Sequence, residues 1–169
     1  MSSKIAKYPG TEVTPEELES GRFLLTSYET VTRYSWTSGV AISRFLDGLK
    51  EGEVWARRCN SCGRTIVPPR MYCEECFRPT DDWVRVKDRG TVSTFSISYV
   101  NADASRRKTP ILVTVVWLDG ASPENGILHL LGEVKPKDVR VGMKVKAVWK
   151  PKSQREGAIT DIRYFKPVV

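Results

Sequence analysis

Four cysteines are the residues of this chain best placed to do chemistry. They stand as Cys59-Asn60-Ser61-Cys62 and Cys73-Glu74-Glu75-Cys76, two C-x-x-C pairs ten residues apart, and the sequence holds no others. Two such knuckles make a tetrahedral thiolate cage of the kind a structural zinc takes, each sulfur about 2.3 Å from the ion. An unfolded chain has no preformed cage, so metal binding there is folding energy. Two disulfides would need an oxidising compartment, and the N-terminus shows no apolar run of signal-peptide type. A redox C-x-x-C opens a helix, whereas both pairs here lie among Pro, Gly and Arg. Zinc is the expected ion. Iron in a rubredoxin-like cage is the alternative, since four thiolates are better specified than the metal they hold.

Other catalytic equipment is sparse. The single histidine, His129, lies inside an apolar run and reads as a core or cross-strand residue. There is no G-x-x-x-x-G-K-[ST], no G-x-G-x-x-G and no nucleophile-elbow motif. With all four thiols on a metal, no cysteine nucleophile remains. A zinc held by four thiolates keeps no open position for water, which argues against metal-assisted hydrolysis. The pattern therefore favours a binding or scaffolding protein over an enzyme.

Charge points to where binding could occur. The net charge is +7, yet residues 1–134 carry 17 Lys/Arg and 17 Asp/Glu, while residues 135–169 carry 10 basic and 3 acidic. A basic C-terminal segment suits nucleic acid, an anionic cofactor or an acidic partner, and equally a solvated lysine-rich strand face. Residues 54–73 contain Arg57, Arg58, Arg64 and Arg70 with no acidic residue. These either offset the negative zinc–thiolate site or face an anionic ligand, with Arg70 the outward one. Two further basic groups are Arg106, Arg107 and Lys108, and Lys150, Lys152 and Arg155. With Phe95, Tyr99, Trp117 and Trp149 on nearby strands, they would suit single-stranded nucleic acid or a nucleotide-like cofactor. Phe95 and Trp117 read better as core.

The elements that must position these groups follow from periodicity. Thr14-Pro15-Glu16-Glu17 is a capped helix start, residues 1–13 read as an arm, and residues 22–38 as extended or irregular. Val40, Ile42, Phe45, Leu46 and Leu49 form an apolar stripe that predicts a helix over 39–50, with Gly48 weakening its end. From Asp82 onward the pattern is strands: Trp83–Val100 with a bend at Gly90, then Pro110–Leu118, Ile127–Val134, Met143–Trp149 and Ala158–Phe165, with Asn101–Lys108 as a polar loop. The predicted fold is mainly β with N-terminal helices: a helical and extended segment (1–53), a rubredoxin-like zinc ribbon (54–82) and a five-stranded OB-type barrel (83–169). A small sandwich is the competing architecture for the last part.

The run I-S-R-F-L-D-G-L-K-E-G, then C-N-S-C-G, V-P-P-R-M-Y-C-E-E-C and G-T-V-S-T-F-S-I-S-Y, across residues 36–166, resembles the zinc-ribbon/OB-fold family called domain of unknown function thirty-five. The Y-S-W-T-S-G entry is similar to archaeal members. The resemblance implies a non-catalytic acyl-CoA-binding accessory protein of lipid metabolism, and a sequence with no run of 18 apolar residues adds the expectation of a soluble, cytoplasmic protein. Its implied partner is a thiolase-like enzyme, with a further acyl-CoA enzyme in the same complex. It also carries over Cys59, Cys62, Cys73 and Cys76 as zinc ligands. Phe77 departs from the pattern, standing where ribbons commonly have glycine. Trp36, Phe45, Arg70, Arg106, Arg107 and Lys108 are the residues whose chemistry would suit the adenine, pantetheine and phosphates of CoA. A single-stranded nucleic-acid binder built on the same barrel is the alternative.

Overall fold

The computed structural model describes residues 13–23 and 32–168, and the chain divides into two compact units, residues 1–36 and 37–169. In the first, helix α1 (Pro15–Glu19) starts on a reciprocal capping box. Thr14 Oγ1 accepts the Glu17 amide at 3.2 Å, and Glu17 Oε2 accepts the Thr14 amide at 3.0 Å. Tyr34 and Trp36 stack at 6.2 Å between ring centroids. Of the stretches read as an arm (1–13) and as extended or irregular (22–38), residues 1–12 and 24–31 lie outside the described residues, and residues 32–38 carry no regular secondary structure.

The second unit opens with helix α2 (Gly39–Glu51), closed by Gly52 at φ 83° with its amide on the Gly48 and Leu49 carbonyls. The buried stripe is Ala41, Phe45, Gly48 and Leu49, an i, i+4, i+7, i+8 set. Val40, assigned to the stripe from sequence, is 68% exposed. Gly48 is also not the weak point that helix propensity suggests. A Cβ there would collide with Trp55 Cδ1 and lie 3.0 Å from the Glu53 carbonyl, so glycine makes room for an indole.

A small three-stranded sheet follows, ordered β2-β1-β5, from β1 (Val54–Arg58), β2 (Thr65–Ile66) and β5 (Asp82–Val86). The hairpin of β3 (Tyr72–Cys73) and β4 (Arg78–Pro79) lies between them in sequence. The remaining strands, β6 (Arg89–Val100), β7 (Arg106–Leu118), β8 (Gly126–Leu130), β9 (Lys144–Trp149) and β10 (Ile162–Pro167), form one sheet ordered β10-β9-β6-β7-β8. Its two edges meet through one parallel bridge, Leu131 to Phe165, with the Gly132 amide on the Phe165 carbonyl at 2.9 Å. A five-stranded sheet whose third and fifth strands meet in parallel at a single point is a partly open OB barrel.

The single strand expected over Trp83–Val100 is two. Residues 82–86 pair with β1 in the ribbon sheet, and the chain enters the barrel only after Lys87-Asp88. Strand β7 begins at Arg106, so part of the expected polar loop is strand. The turn is tightened by the Asn101 amide on the Ser105 carbonyl at 2.9 Å and Asn101 Nδ2 on Ser105 Oγ at 2.8 Å. One core runs through α2, the ribbon sheet and the barrel: Phe45, Leu49, Val54, Ala56, Val86, Val116, Val145, Ile162 and Phe165 share it. The ribbon is also tied to the barrel by polar contacts, since the Thr65 amide donates to Ser122 Oγ at 2.8 Å and the Ser122 amide to the Thr65 carbonyl at 3.0 Å.

Candidate metal centre

The first knuckle leaves β1 and returns into β2. The Cys59 amide donates to the Arg64 carbonyl at 2.8 Å and the Gly63 amide to the Cys59 carbonyl at 2.8 Å, with Gly63 at φ 75°. Acidic residues brace it from the start of β5: Asp81 Oδ2 accepts the Asn60 amide at 2.7 Å and Asp82 Oδ2 accepts Asn60 Nδ2 at 2.7 Å. The second knuckle spans Cys73–Arg78 at the end of the β3–β4 hairpin, and Phe77 takes φ 50° there.

Together the knuckles bring the Sγ atoms of Cys59, Cys62, Cys73 and Cys76 within 4.8 Å of one another, with Cys62 and Cys73 at 3.7 Å. Four sulfurs about 2.3 Å from one central ion stand about 3.8 Å apart along each tetrahedral edge. The donor set thus fits a tetrahedral ion of soft-ligand preference, as zinc is. Without such a cation the thiols cannot ionise alike. The Cys62 amide, then that of Ser61, helps draw the Cys59 thiol down to about 7 against its burial. The Arg64 amide is the largest influence on Cys62 and lowers it, yet burial and the three other thiols together push it up to about 12. A divalent cation reconciles the four sulfurs, and the amides already aimed at them supply the outer hydrogen bonds.

The ribbon arginines are mostly engaged locally. Arg57 is buried, its Nε on Thr80 Oγ1 at 2.8 Å and its Nη2 on the Thr80 carbonyl, while Thr80 Oγ1 donates to the Arg70 carbonyl at 2.9 Å. Arg64 meets Glu75 at 2.6 Å and Glu74 at 3.4 Å, and Arg70, outward as expected, meets Glu74 at 3.5 Å. The compensating acids sit beyond residue 73, outside the window in which the sequence looked purely basic. Arg44 of α2 lies 4.4 Å above Trp55 and 4.8 Å above Trp83, with Arg85 and Arg57 on their other contacts at 5.2 and 4.8 Å. This alternating ladder of guanidinium and indole joins α2 to the ribbon sheet, and no local sequence signal announces it.

The residues of the second unit suggested for CoA fall on separate elements: Phe45 on α2, Arg70 in the ribbon and Arg106–Lys108 on β7. Phe45 is 3% exposed in the core and offers no surface to a ligand. Trp36 is exposed and belongs to the first unit. Arg106, Arg107 and Lys108 stand exposed on the projecting end of the β6–β7 hairpin. Arg107 is held there by Asn101 Oδ1 at 2.6 Å and the Thr109 carbonyl at 3.1 Å. The cations of the second basic loop have partners within the chain: Lys150 Nζ is 3.8 Å from Asp161, Lys152 pairs with Glu51 at 2.7 Å on the surface, and Arg155 bonds the Lys150 carbonyl at 2.9 Å and lies over Trp149. Trp117, read from sequence as core, faces outward on β7, while Phe95 packs against the core.

His129 is locked. Its Nδ1 accepts the Leu130 amide at 2.9 Å, so the proton is on Nε2, which donates to the Ile159 carbonyl at 3.2 Å. Burial holds its pKa below the usual histidine value despite these contacts, and its ring stands edge-on to Phe165. Both nitrogens are used, so His129 has no free ring nitrogen to act as a base. Among the described residues no helix is long and apolar enough to cross a membrane.

Comparison with known proteins agrees with this architecture. Two family models match adjoining stretches: the ChsH2 rubredoxin-like zinc ribbon domain over residues 46–82, and the ChsH2 C-terminal OB-fold domain over residues 83–150. A protein of Methanocaldococcus jannaschii, described as a DUF35 domain-containing scaffold protein, is 29% identical over 66% of this chain and 79% of its own length. One of Methanothermobacter thermautotrophicus with the same description is 27% identical over 65% of this chain and 83% of its own. Among solved structures, a DUF35-family protein of unknown function from Sulfolobus solfataricus superposes with a TM-score of 0.54 at 29% identity, over 62% of this chain and 75% of that one. A chain of the Ltp2–ChsH2(DUF35) aldolase superposes with a TM-score of 0.56 over 81% of this chain and all of that one; at 19% identity it bears on the fold alone.

Proposed function

From a chain that belongs to the DUF35 family of zinc-ribbon and OB-fold proteins, we propose a non-catalytic scaffold that holds a thiolase-like enzyme, and a further acyl-CoA enzyme of the same complex, around a shared acyl-CoA in the cytoplasm. The observation that carries this reading is the closed four-sulfur cluster, taken together with a lone histidine whose two ring nitrogens are both bonded elsewhere in the fold. The groups most able to do chemistry are committed to structure. The description of two relatives as scaffold proteins supports the same reading. The chain's contribution would be positional, since a ligand held between two proteins reacts without the entropy cost of a fresh encounter. Arg106 and Lys108 on the hairpin arm are the cations offered to the ligand's phosphates.

A second reading has one specific observation behind it. Arg89, Lys146 and Lys166 are direct cross-strand neighbours on three adjacent strands, a row that would suit the backbone of single-stranded nucleic acid. Titration of the zinc-loaded protein with acetyl-CoA and with an oligonucleotide at equal ionic strength separates the two. Saturable acetyl-CoA binding lost in Arg106→Ala/Lys108→Ala supports the scaffold reading. Micromolar oligonucleotide binding without acetyl-CoA binding overturns it.

A further inference from the structure

The second knuckle ends in a residue that its own chain does not explain. Gly63 follows the first knuckle at φ 75°, an ordinary use of glycine, but Phe77 follows the second at φ 50°. That is left-handed backbone, which a residue bearing a Cβ disfavours. Its ring is moreover 83% exposed, so the strained position gains no packing. On the same hairpin Tyr72 is 58% and Met71 43% exposed. The charges around this tip are already paired: Arg64 with Glu74 and Glu75, Arg70 with Glu74, and Arg78 with Asp81 at 2.9 Å. An apolar centre with a charge-compensated rim is the anatomy of a protein interface. A polyanion would instead need free cations here. The sulfur cage fixes Cys76 next door, so the ring is presented on a held backbone and loses little freedom on docking.

We propose that the β3–β4 tip, with Phe77 as its anchor, docks into an apolar pocket of a partner protein, and that this partner is the enzyme of the scaffold reading, on which the inference rests. The substitution Phe77→Gly tests it, because it removes the ring and relieves the backbone together. The zinc-loaded full chain is used to capture its partner enzyme, which is identified, purified and titrated by calorimetry against wild type, Phe77→Gly and Tyr72→Ser. The expected result for Phe77→Gly is an unchanged or higher Tm with partner affinity lower by about tenfold or more, and a smaller loss for Tyr72→Ser. A lowered Tm would assign the ring a packing role, and an unchanged Kd would remove it from the interface; either overturns the proposal. Self-association of the wild type that Phe77→Gly abolishes would make a second copy the occupant and overturn it too. Failure of the wild type to retain any enzyme would sink the scaffold reading itself, which separates the two failures.

Discussion

Whether a thiol in the ribbon can ionise depends on what else carries charge beside it. Cys59 is drawn to about 7 and Cys62 pushed to about 12, so four thiolates coexist only around a cation. We expect one zinc per chain by elemental analysis, and loss of both zinc and ribbon structure for Cys62→Ser or Cys73→Ser. Iron at one per chain would change the assigned ion. Asp161 is the second residue that decides structure by its charge. It is fully buried and accepts the amides of Glu156, Gly157 and Ala158, the Gly157 bond at 2.8 Å. Burial alone would raise its pKa, but those amides and Lys150 outweigh it and hold the carboxyl below the usual Asp range. A depressed folded pKa stabilises fully above the ordinary value of about 3.9 and is lost as the pH falls through the folded value. Asp161→Asn should cost about 2 kcal/mol near neutrality. In thermal melts the gap from wild type should shrink below about pH 4; a gap independent of pH would show that charge is not what Asp161 contributes.

At the scale of elements, the join between α2 and the ribbon rests on a close approach and a cation–π ladder. Alanine at position 48 would gain about 1 kcal/mol of helix propensity. The collision with Trp55 opposes that gain, and the indole cannot swing aside freely, because Arg44 and Arg85 lie over it and its Nε1 bonds Glu53 Oε2 at 3.1 Å. Overpacking of this kind costs about 1–3 kcal/mol, so Gly48→Ala should lower Tm by a few degrees and shift Trp55 fluorescence; a raised Tm would mean that propensity wins. This join also shows what was legible beforehand. The cysteine spacing, the capping box at Thr14, the alternation of β6 and β9 and the continuous apolar run of β7 are local signals, and they specified the ribbon, α1 and most of the barrel. Gly48 looked like a helix fault because its partner lies seven residues on, in another element. The division of Trp83–Val100 into two strands was hidden for a related reason: β5 and β6 share a period but pair with different sheets. Arg57, Arg44 and Asp161 gave no local sign, since each is defined by groups brought near only by the fold.

Over the whole molecule, the question is where the +7 resides and whether it is free to act. The loop Lys150–Arg155 sets Lys152 against Glu51, Lys150 against Asp161 and Arg155 over Trp149, and Arg70 is paired with Glu74, so Lys150, Lys152 and Arg70 add little to the net excess. The excess lies on the outer face of the barrel. Lys146 stands directly between Arg89 and Lys166 in register, with strands about 4.8 Å apart, and like charges directly opposite repel. Asp119 approaches Arg89 at 3.5 Å and Glu133 approaches Lys166 at 3.2 Å, whereas Lys146 makes no ion pair within 4 Å among the described residues. Exposed charges are screened over about 8 Å at physiological salt, so the repulsion should be a low-salt effect. Wild-type Tm is therefore expected to rise as sodium chloride is raised from low to physiological concentration, and Lys146→Glu to raise Tm at low salt and flatten that dependence. The same variant separates the functional readings: oligonucleotide binding carried by this row would fall in Lys146→Glu, whereas acetyl-CoA binding carried by Arg106 and Lys108 on the distant arm would not. Equal loss of both ligands would place them on one shared surface and remove the arm from the proposal.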